Sequence, residues 1–157
     1  MVHDQYAERY AAHRWKIPPT FNIAEACCRR WADAPERTAI LSEDAEGHQA
    51  SYSYIDLMHA ANRLSNALRA RGIQAGDRVA MVMPQRFEAA VSLIALFQLG
   101  AVAMPLSTLF GPEAMAYRLQ DSDSVAAIVD ARGIETLTSV RAECPALSTL
   151  ICIDCTA

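Results

Sequence analysis

The sequence is poor in glycine and has a single lysine, and both shortages limit what it can bind. Its six glycines are scattered, so neither a G-x-G-x-x-G fingerprint nor a G-x-x-x-x-G-K-[ST] loop occurs. Lys16 is the only lysine, and it lies in the N-terminal segment before two prolines. Those motifs hold nucleotide phosphates with backbone N–H groups and a lysine, and this sequence does not supply that arrangement.

Positive charge and long apolar runs are also missing. A formal net charge of −4 gives no electrostatic reason to predict binding to nucleic acid or to an anionic membrane surface. No segment approaches the ~20 uninterrupted apolar residues that span a bilayer, because Arg86, Glu88 and Gln98 interrupt the longest run. Residues 1–16 alternate charges without an apolar core, so we expect no signal peptide. With 52% apolar residues, the chain is long enough to bury the core of one domain.

The cysteines indicate a reduced protein. There are five, an odd number that includes the adjacent pair Cys27 and Cys28, which predicts free thiols in a reducing cytoplasm. Cys152-x-x-Cys155 has the spacing of half a zinc site or of a redox pair. A zinc site needs about four ligands, and Cys144 could be a third, but no histidine lies nearby. We favour a core cysteine and an exposed one, and predict no metal site.

The stretch from residue 71 to residue 112 predicts a strand, a helix and a second strand. Residues 77–83 form a nearly continuous apolar run, which is typical of a strand covered on both faces. From Phe87 to Leu99, apolar residues occupy every side of a helix, which indicates that the helix is buried. Gly100 ends that helix, and residues 101–106 form the next strand. The three elements make a βαβ unit of a parallel sheet.

The flanking elements extend this pattern. Residues 1–20 are predicted to form an N-terminal arm with a short polar helix, and Asn22 is predicted to cap a helix that ends near residue 34. Two short strands predict a hairpin, and Ser53 with Asp56 predicts a capping box at the start of the next helix. After residue 112 the order is helix, strand, helix, strand, over 113–120, 125–129, 132–141 and 150–153. The alternation predicts an α/β fold with a mostly parallel sheet flanked by helices.

Several separate blocks of sequence occur in a characteristic order: FNIA from Phe21, RWA from Arg30, SYSYIDLMHAANRLSNALRARG from Ser51, GDRVAMVMPQRFEAAV from Gly76 and LFQLGAVAMPLSTLFGPEAMAYRLQDS from Leu96. Together they resemble the early part of the AMP-forming acyl-CoA synthetases, the adenylate-forming ligases. The similarity is to the short- and medium-chain or aromatic-acid CoA ligases, and it begins at about Trp15. It implies that residues 21–157 are the N-terminal part of an AMP-binding domain, truncated after roughly its first third.

The resemblance implies an enzyme that activates a carboxylic acid with ATP and magnesium to an acyl-adenylate and then transfers the acyl group to CoA. The family's Ser/Thr/Gly-rich phosphate loop, which closes on Pro-Lys, does not occur among these residues. Lys16 does not match the family's catalytic lysine, and Asp121, Asp123 and Asp130 do not match its later acidic motifs. We therefore assign no catalytic residue and no cofactor to this chain, and expect the segment alone to be inactive and architectural.

The loop that ends at Gly111-Pro112 is the best candidate site. It follows the carboxyl end of a predicted strand and precedes a helix, which is where open α/β sheets bind ligands. By resemblance, Gly111 matches a loop that lies beside the CoA nucleotide in some CoA ligases. The structural alternative is a proline-initiated helix entered through a flexible turn. Arg118 could reach an anion from the same helix, although a pairing with Glu113 or Asp121 is the simpler interpretation.

Two other kinds of function are compatible with the sequence. The first is a non-catalytic α/β domain that self-associates or binds a partner, such as the remainder of a ligase chain, through apolar surface. Its motivation is the helix from Phe87 to Leu99, which is apolar on every face. The second is a module that binds a nucleotide or CoA without chemistry. Light scattering and calorimetry with CoA discriminate between these hypotheses.

Overall fold

The chain alternates between helices and strands. The N-terminal half contains α1 (Tyr6–Ala12), α2 (Ile23–Cys27), a 3₁₀ turn (Arg29–Trp31), β1 (Thr38–Glu43), β2 (Gln49–Ser53) and α3 (Tyr54–Ala70). The remainder contains β3 (Arg78–Val82), α4 (Phe87–Leu99), β4 (Val102–Pro105), α5 (Pro112–Asp121), β5 (Ala126–Val129), α6 (Ile134–Val140), a second 3₁₀ turn (Arg141–Glu143) and β6 (Thr149–Cys152). The structure, a computed structural model, describes residues 4–155.

A four-stranded parallel sheet lies at the centre of the fold. Its strands stand in the order β4-β3-β5-β6, and every neighbouring pair is parallel. β1 and β2 form a separate antiparallel hairpin. The mixed α/β class, the parallel sheet and its flanking helices are therefore confirmed. The chain order alone does not give the strand order, since β5 pairs with β3 rather than with β4.

Both faces of the sheet are covered, because alternate residues of its central strands pack on opposite sides. In β3, Val79 and Met81 belong to one buried cluster with α2, α3 and α4. Ala80 and Val82 belong to a second cluster with α5 and α6. All four residues of β5 are buried. A fully buried valine, isoleucine or methionine in these strands contributes about 1.5–3 kcal/mol of hydrophobic stabilisation, so the two clusters hold the layers together.

Helix α4 is enclosed, as its composition predicts. None of its residues from Phe87 to Leu99 is exposed. Asn22 donates a hydrogen bond from Nδ2 to the carbonyl of Phe97 at 2.8 Å, and Gln98 donates to Asn62 of α3 at 2.8 Å. Gly100 ends the helix in the left-handed region, with φ of 70°. Residues of α2 and α3 pack against α4 in one buried cluster.

Two local predictions at the start of α3 are confirmed. The antiparallel hairpin of β1 and β2 leads directly into the helix. Ser53 is the N-cap, and its Oγ accepts from the Asp56 N–H at 3.1 Å while Asp56 accepts from the Ser53 N–H at 2.9 Å. This is the capping box that the sequence predicts. Leu57, Ala61 and Leu68 then lie on the buried face.

The helix predicted after Asn22 is wrong in its length. Asn22 does cap it, since its side-chain oxygen accepts from Ala24 N–H at 2.9 Å. The helix ends at Cys27 because Cys28 has φ of −132° and ψ of −68°, and only a 3₁₀ turn follows. Cys28, at the start of that turn, is buried, and Cys27 is exposed.

The N-terminal arm exposes several large apolar side chains. Helix α1 buries none of its residues. The arm's exposed large apolar side chains are Tyr6, Tyr10, Trp15 and Ile17, and Phe21 just after the arm is exposed as well. Lys16 is also exposed, which agrees with its interpretation as a surface residue. None of the helices described is long and apolar enough to cross a membrane.

Candidate functional site

The carboxyl ends of the four parallel strands meet at one edge of the sheet. The segments that follow β3, β4, β5 and β6 all leave the sheet there, because parallel strands point in the same direction. Open α/β sheets bind ligands outside this edge. The two residues that the sequence singled out, Gly111 and Arg118, belong to the segment that follows β4.

Gly111 is the N-cap of α5 and has ordinary extended backbone angles, with φ of −70° and ψ of 172°. A Cβ built on it would meet no atom within 4 Å. Neither backbone strain nor crowding within the described chain therefore requires glycine at this position. The open space in front of Gly111 is accessible to a ligand or to another part of a longer protein.

Arg118 points back along α5 toward the loop. Its guanidinium carbon lies 3.9 Å from the centroid of the Phe110 ring, and Nη1 donates to the carbonyl of Ala114 at 2.8 Å. Among the described residues it makes no salt bridge with Glu113 or Asp121, so the simpler pairing expected from the sequence is absent. The cation–π contact places the Arg118 guanidinium over the ring of Phe110, the residue that precedes Gly111.

Sequence reasoning missed a charged network at the same edge. Arg86, between β3 and α4, donates from Nη1 to Asp154 Oδ2 at 2.8 Å and from Nε to Glu88 Oε2 at 2.7 Å. Asp154 lies just beyond β6, and its Oδ1 accepts from the Ala131 N–H at 2.7 Å. One carboxylate thus joins the segments that follow β3, β5 and β6. The CxxC spacing was the only local signal near Asp154.

A second carboxylate follows β5. Asp130 is 2% exposed, and its Oδ1 accepts from the Gly133 N–H at 3.0 Å. Arg132 is 87% exposed in its side chain and approaches Asp130 Oδ2 at 3.8 Å. The turn that follows β5 therefore carries an exposed arginine at the sheet edge.

Hydrogen bonds keep the network's carboxylates ionised. The hydrogen bond from Arg86, followed by the one from the Ala131 N–H, lowers the pKa of Asp154 below its usual value. Burial raises the pKa of Glu88, but the hydrogen bonds and charge around it, chiefly from Arg86, outweigh burial and leave it lowered. The hydrogen bond to Glu88 raises the pKa of Arg86. The three groups therefore form a charged cluster at neutral pH.

The prediction of free thiols is wrong for one pair of cysteines. Cys152 and Cys155 form a disulfide, with Cα atoms 5.5 Å apart. The chain bends immediately after β6, which brings their Cα atoms within the usual range for such a bond. Cys27, Cys28 and Cys144 are free. Burial raises the pKa of Cys28 and of Cys144, which keeps both as unreactive thiols.

Comparison with known proteins gives a consistent result. Residues 27–157 match the family described as AMP-binding enzyme. The acetyl-coenzyme A synthetase of Halorhodospira halophila is 38% identical over 73% of this chain and 18% of its own length. The chain therefore spans about a fifth of the length of the curated relatives it matches.

Solved structures agree with the fold. The acyl-CoA synthetase of Brucella canis superposes with a TM-score of 0.79 at 25% identity, over 96% of this chain and 27% of that one. The N-terminal domain of FACL13 from Mycobacterium tuberculosis gives a TM-score of 0.75 at 28% identity, over 86% of this chain and 34% of that one. The parallel sheet and its helices are thus similar to the N-terminal part of adenylate-forming acyl-CoA synthetases.

Proposed function

Because this chain belongs to the AMP-binding enzyme family, we propose that it is the N-terminal portion of an acyl-CoA synthetase. Such an enzyme activates a carboxylic acid with ATP to an acyl-adenylate and then transfers the acyl group to the thiol of CoA. The observation that carries the proposal is the family match over residues 27–157, supported by the four-stranded parallel sheet. We also infer a cytoplasmic location, where ATP and CoA are available.

The acid is proposed to be of the short- or medium-chain or aromatic class. Curated relatives with 30–38% identity are named acetyl-coenzyme A synthetases, which makes acetate the first acid to test. Medium-chain and aromatic acids are the alternatives that the sequence blocks favour. A comparison of acetate, hexanoate and benzoate as substrates distinguishes the three classes.

The role proposed for these residues is architectural, with one contact on the CoA side. Gly111 has open space in front of it, and Arg118 is held beside it on Phe110. An anionic nucleotide fits this arrangement, because the backbone at Gly111 can approach it closely and the guanidinium supplies charge. When bound, CoA supplies the thiol that accepts the acyl group.

Unlike CoA, ATP and magnesium find no matching group of residues in the part of the chain that the structure describes. Asp154 accepts hydrogen bonds from Arg86 and Ala131, and Asp130 accepts one from Gly133, so both carboxylates already have partners within the chain. The 157 residues contain neither a phosphate-binding loop nor a lysine other than Lys16. We therefore propose that the residues that hold ATP belong to a part of the ligase other than this chain.

The proposed partner is the remainder of a ligase, and the N-terminal arm is the surface that supports this. The similarity to the Brucella canis structure covers 96% of this chain, which is more than residues 21–157 alone could supply. The arm's apolar side chains, including Trp15 and Ile17, are exposed here. Burial of such side chains against further protein would be favourable, because each removes a large apolar area from water.

A chimera tests the proposed function directly. Residues 27–157 would replace the matching segment of the Halorhodospira halophila acetyl-coenzyme A synthetase, and two reactions would be measured. ATP–pyrophosphate exchange reports acyl-adenylate formation, and thioester formation reports transfer to CoA. We expect both reactions with acetate. A folded chimera that catalyses neither would contradict the proposal.

Variants of Gly111 and Arg118 test whether these residues contact CoA or only support the fold. In the chimera, Gly111→Val and Arg118→Ala should raise the KM for CoA in thioester formation and leave ATP–pyrophosphate exchange unchanged. The matched control is Arg63→Ala, an exposed arginine on α3 that should alter neither reaction. Equal loss of both reactions in the Gly111 and Arg118 variants would indicate a purely structural role.

A further inference from the structure

The Cys152–Cys155 disulfide closes a small ring at the carboxyl end of β6, and Asp154 lies within that ring. Ile153, also in the ring, donates its N–H to the carbonyl of Val129 at 3.0 Å, which continues the pairing of β6 with β5. The disulfide therefore joins the last residue of the strand to the bend that follows it. It restrains the backbone of Asp154 directly.

The carboxylate of Asp154 is the only group in the described chain that joins Arg86 to Ala131. One oxygen accepts from Arg86 at 2.8 Å and the other from the Ala131 N–H at 2.7 Å. The Asp154 side chain is 37% exposed and that of Arg86 is 32% exposed, so water competes for both contacts. A contact of this kind depends on how firmly the backbone of Asp154 is held.

Access distinguishes this pair from the remaining cysteines. Cys155 is exposed and Cys152 is half-buried at the sheet edge, so a small reagent can reach their sulfur atoms. Cys28 and Cys144 are buried, and Cys27 is exposed but has only the adjacent Cys28 beside it in the sequence. The pair is therefore the one place in the described residues where two accessible thiols can meet without movement of the core.

We propose that Cys152 and Cys155 form a reversible redox site whose oxidised state fixes Asp154 in its contacts with Arg86 and Ala131. In the reduced state the ring is open, and the segments that follow β3, β5 and β6 are joined less firmly. In a reducing compartment, disulfides are usually transient or redox-sensing, which agrees with reversible formation here. The site thus couples thiol oxidation to the order of the sheet edge at which ligands bind.

The redox step is dithiol–disulfide exchange with a low-molecular-weight disulfide. One cysteine thiolate attacks a sulfur of that disulfide, which forms a mixed disulfide and releases one thiolate. The second cysteine thiolate attacks the sulfur of the first cysteine, which closes the ring and releases the other thiolate. The protein loses two electrons and two protons, and the small disulfide is reduced to two thiols.

The experiment uses the full 157-residue chain in mixtures of reduced and oxidised glutathione. Acid quenching, alkylation and mass spectrometry would give the state of each cysteine, and hydrogen exchange would give the protection of the Ala131 amide. We expect Cys152 and Cys155 to convert together to an intramolecular disulfide, reversibly, while Cys28 and Cys144 stay as thiols. Oxidation should slow exchange at Ala131 on the order of tenfold, the effect of strengthening one charge-assisted hydrogen bond.

Three variants and one internal reference complete the test. Cys155→Ser should give the fast Ala131 exchange at every glutathione ratio, and Asp154→Asn should give it even in oxidised protein. Cys27→Ser should change nothing, and the Gly133 amide, which is bound to Asp130, should exchange equally in both states. The proposal is overturned if no Cys152–Cys155 bond forms at any ratio. It is equally overturned if Ala131 in the wild-type chain exchanges at the same rate in both redox states.

Discussion

Two glycines at the carboxyl edge of the sheet are expected to respond differently to alanine. A Cβ on Gly133 would lie 2.7 Å from Cγ2 of Val129, which is fully buried and cannot move aside. Gly133→Ala should therefore lower the free energy of unfolding by about 1–3 kcal/mol. Gly111→Ala meets no atom within 4 Å and should change it by less than about 0.5 kcal/mol. Urea denaturation of both variants measures the difference, and equal destabilisation would contradict the described packing.

The Asp154 carboxylate should make the stability of the oxidised chain depend on pH in the acid range. Its pKa in the folded chain is lowered by Arg86 and by the Ala131 N–H, so the contribution is fully present above the unfolded value of about 3.9. It is lost as pH falls through the lower, folded value. Wild type should therefore melt at a higher temperature than Asp154→Asn at pH 6, and the two should converge near pH 2.

Melting followed by circular dichroism between pH 2 and pH 7 measures that difference. The matched control is Asp121→Asn, at an exposed aspartate that accepts no side-chain hydrogen bond among the described residues. It should melt like wild type at pH 6. A difference between wild type and Asp154→Asn that is constant over the whole range would show that the ionised carboxylate contributes nothing.

Residue-level signals in the sequence were informative only where the chemistry is local. Gly111 was found because it stands between a predicted strand and a proline. Gly133 gave no signal, since its need for glycine arises from how the chain folds back on the side chain of Val129, the last residue of the preceding strand. The contact between Arg86 and Asp154 spans 68 residues, so only the three-dimensional strand order brings the two together.

Among the elements, the capping box of α3 offers the clearest stability test. Ser53→Ala removes the hydroxyl that accepts from the Asp56 N–H, and should lower the free energy of unfolding by about 1 kcal/mol. Ser51→Ala, an exposed position in β2, is the control and should stay within about 0.5 kcal/mol of wild type. Denaturation in urea measures both variants. A Ser53→Ala protein as stable as the control would mean that the cap does not form.

Element prediction succeeded where the apolar pattern and the ends of an element agree. The apolar pattern of the sequence predicts that β3 is covered on both faces, and its side chains do alternate between two buried clusters. The same pattern predicts that α4 is buried and ends at Gly100. The helix after Asn22 was predicted with the correct cap but the wrong length. Its end depends on the burial of Cys28. No local pattern predicts that the backbone leaves the helix at that residue.

At the scale of the whole molecule, the exposed arm gives a prediction about self-association. Trp15 is 83% exposed and Trp31 is 39% exposed, and they are the two tryptophans of the chain. If the arm is free in the isolated chain, iodide should quench the fluorescence of Trp15 readily at every protein concentration. Trp15→Phe should remove most of the quenchable emission, and Trp31→Phe should leave it.

Light scattering provides the companion measurement. A monomer in which Trp15 is quenched agrees with an arm that is free to bind the remainder of a ligase. Shielding of Trp15 that increases with concentration, together with a dimer mass, would instead assign the arm to association between copies of this chain.

We propose that this chain is a scaffold and that other parts of a ligase bind ATP. The most direct measurement is ATP–pyrophosphate exchange by the 157-residue chain alone, with magnesium and with acetate, hexanoate or benzoate. We expect no exchange above a protein-free blank for any acid, under conditions in which the chimera with the Halorhodospira halophila relative is active. Exchange that depends on the added acid and is catalysed by the isolated chain would contradict the proposal that ATP binds elsewhere in a ligase.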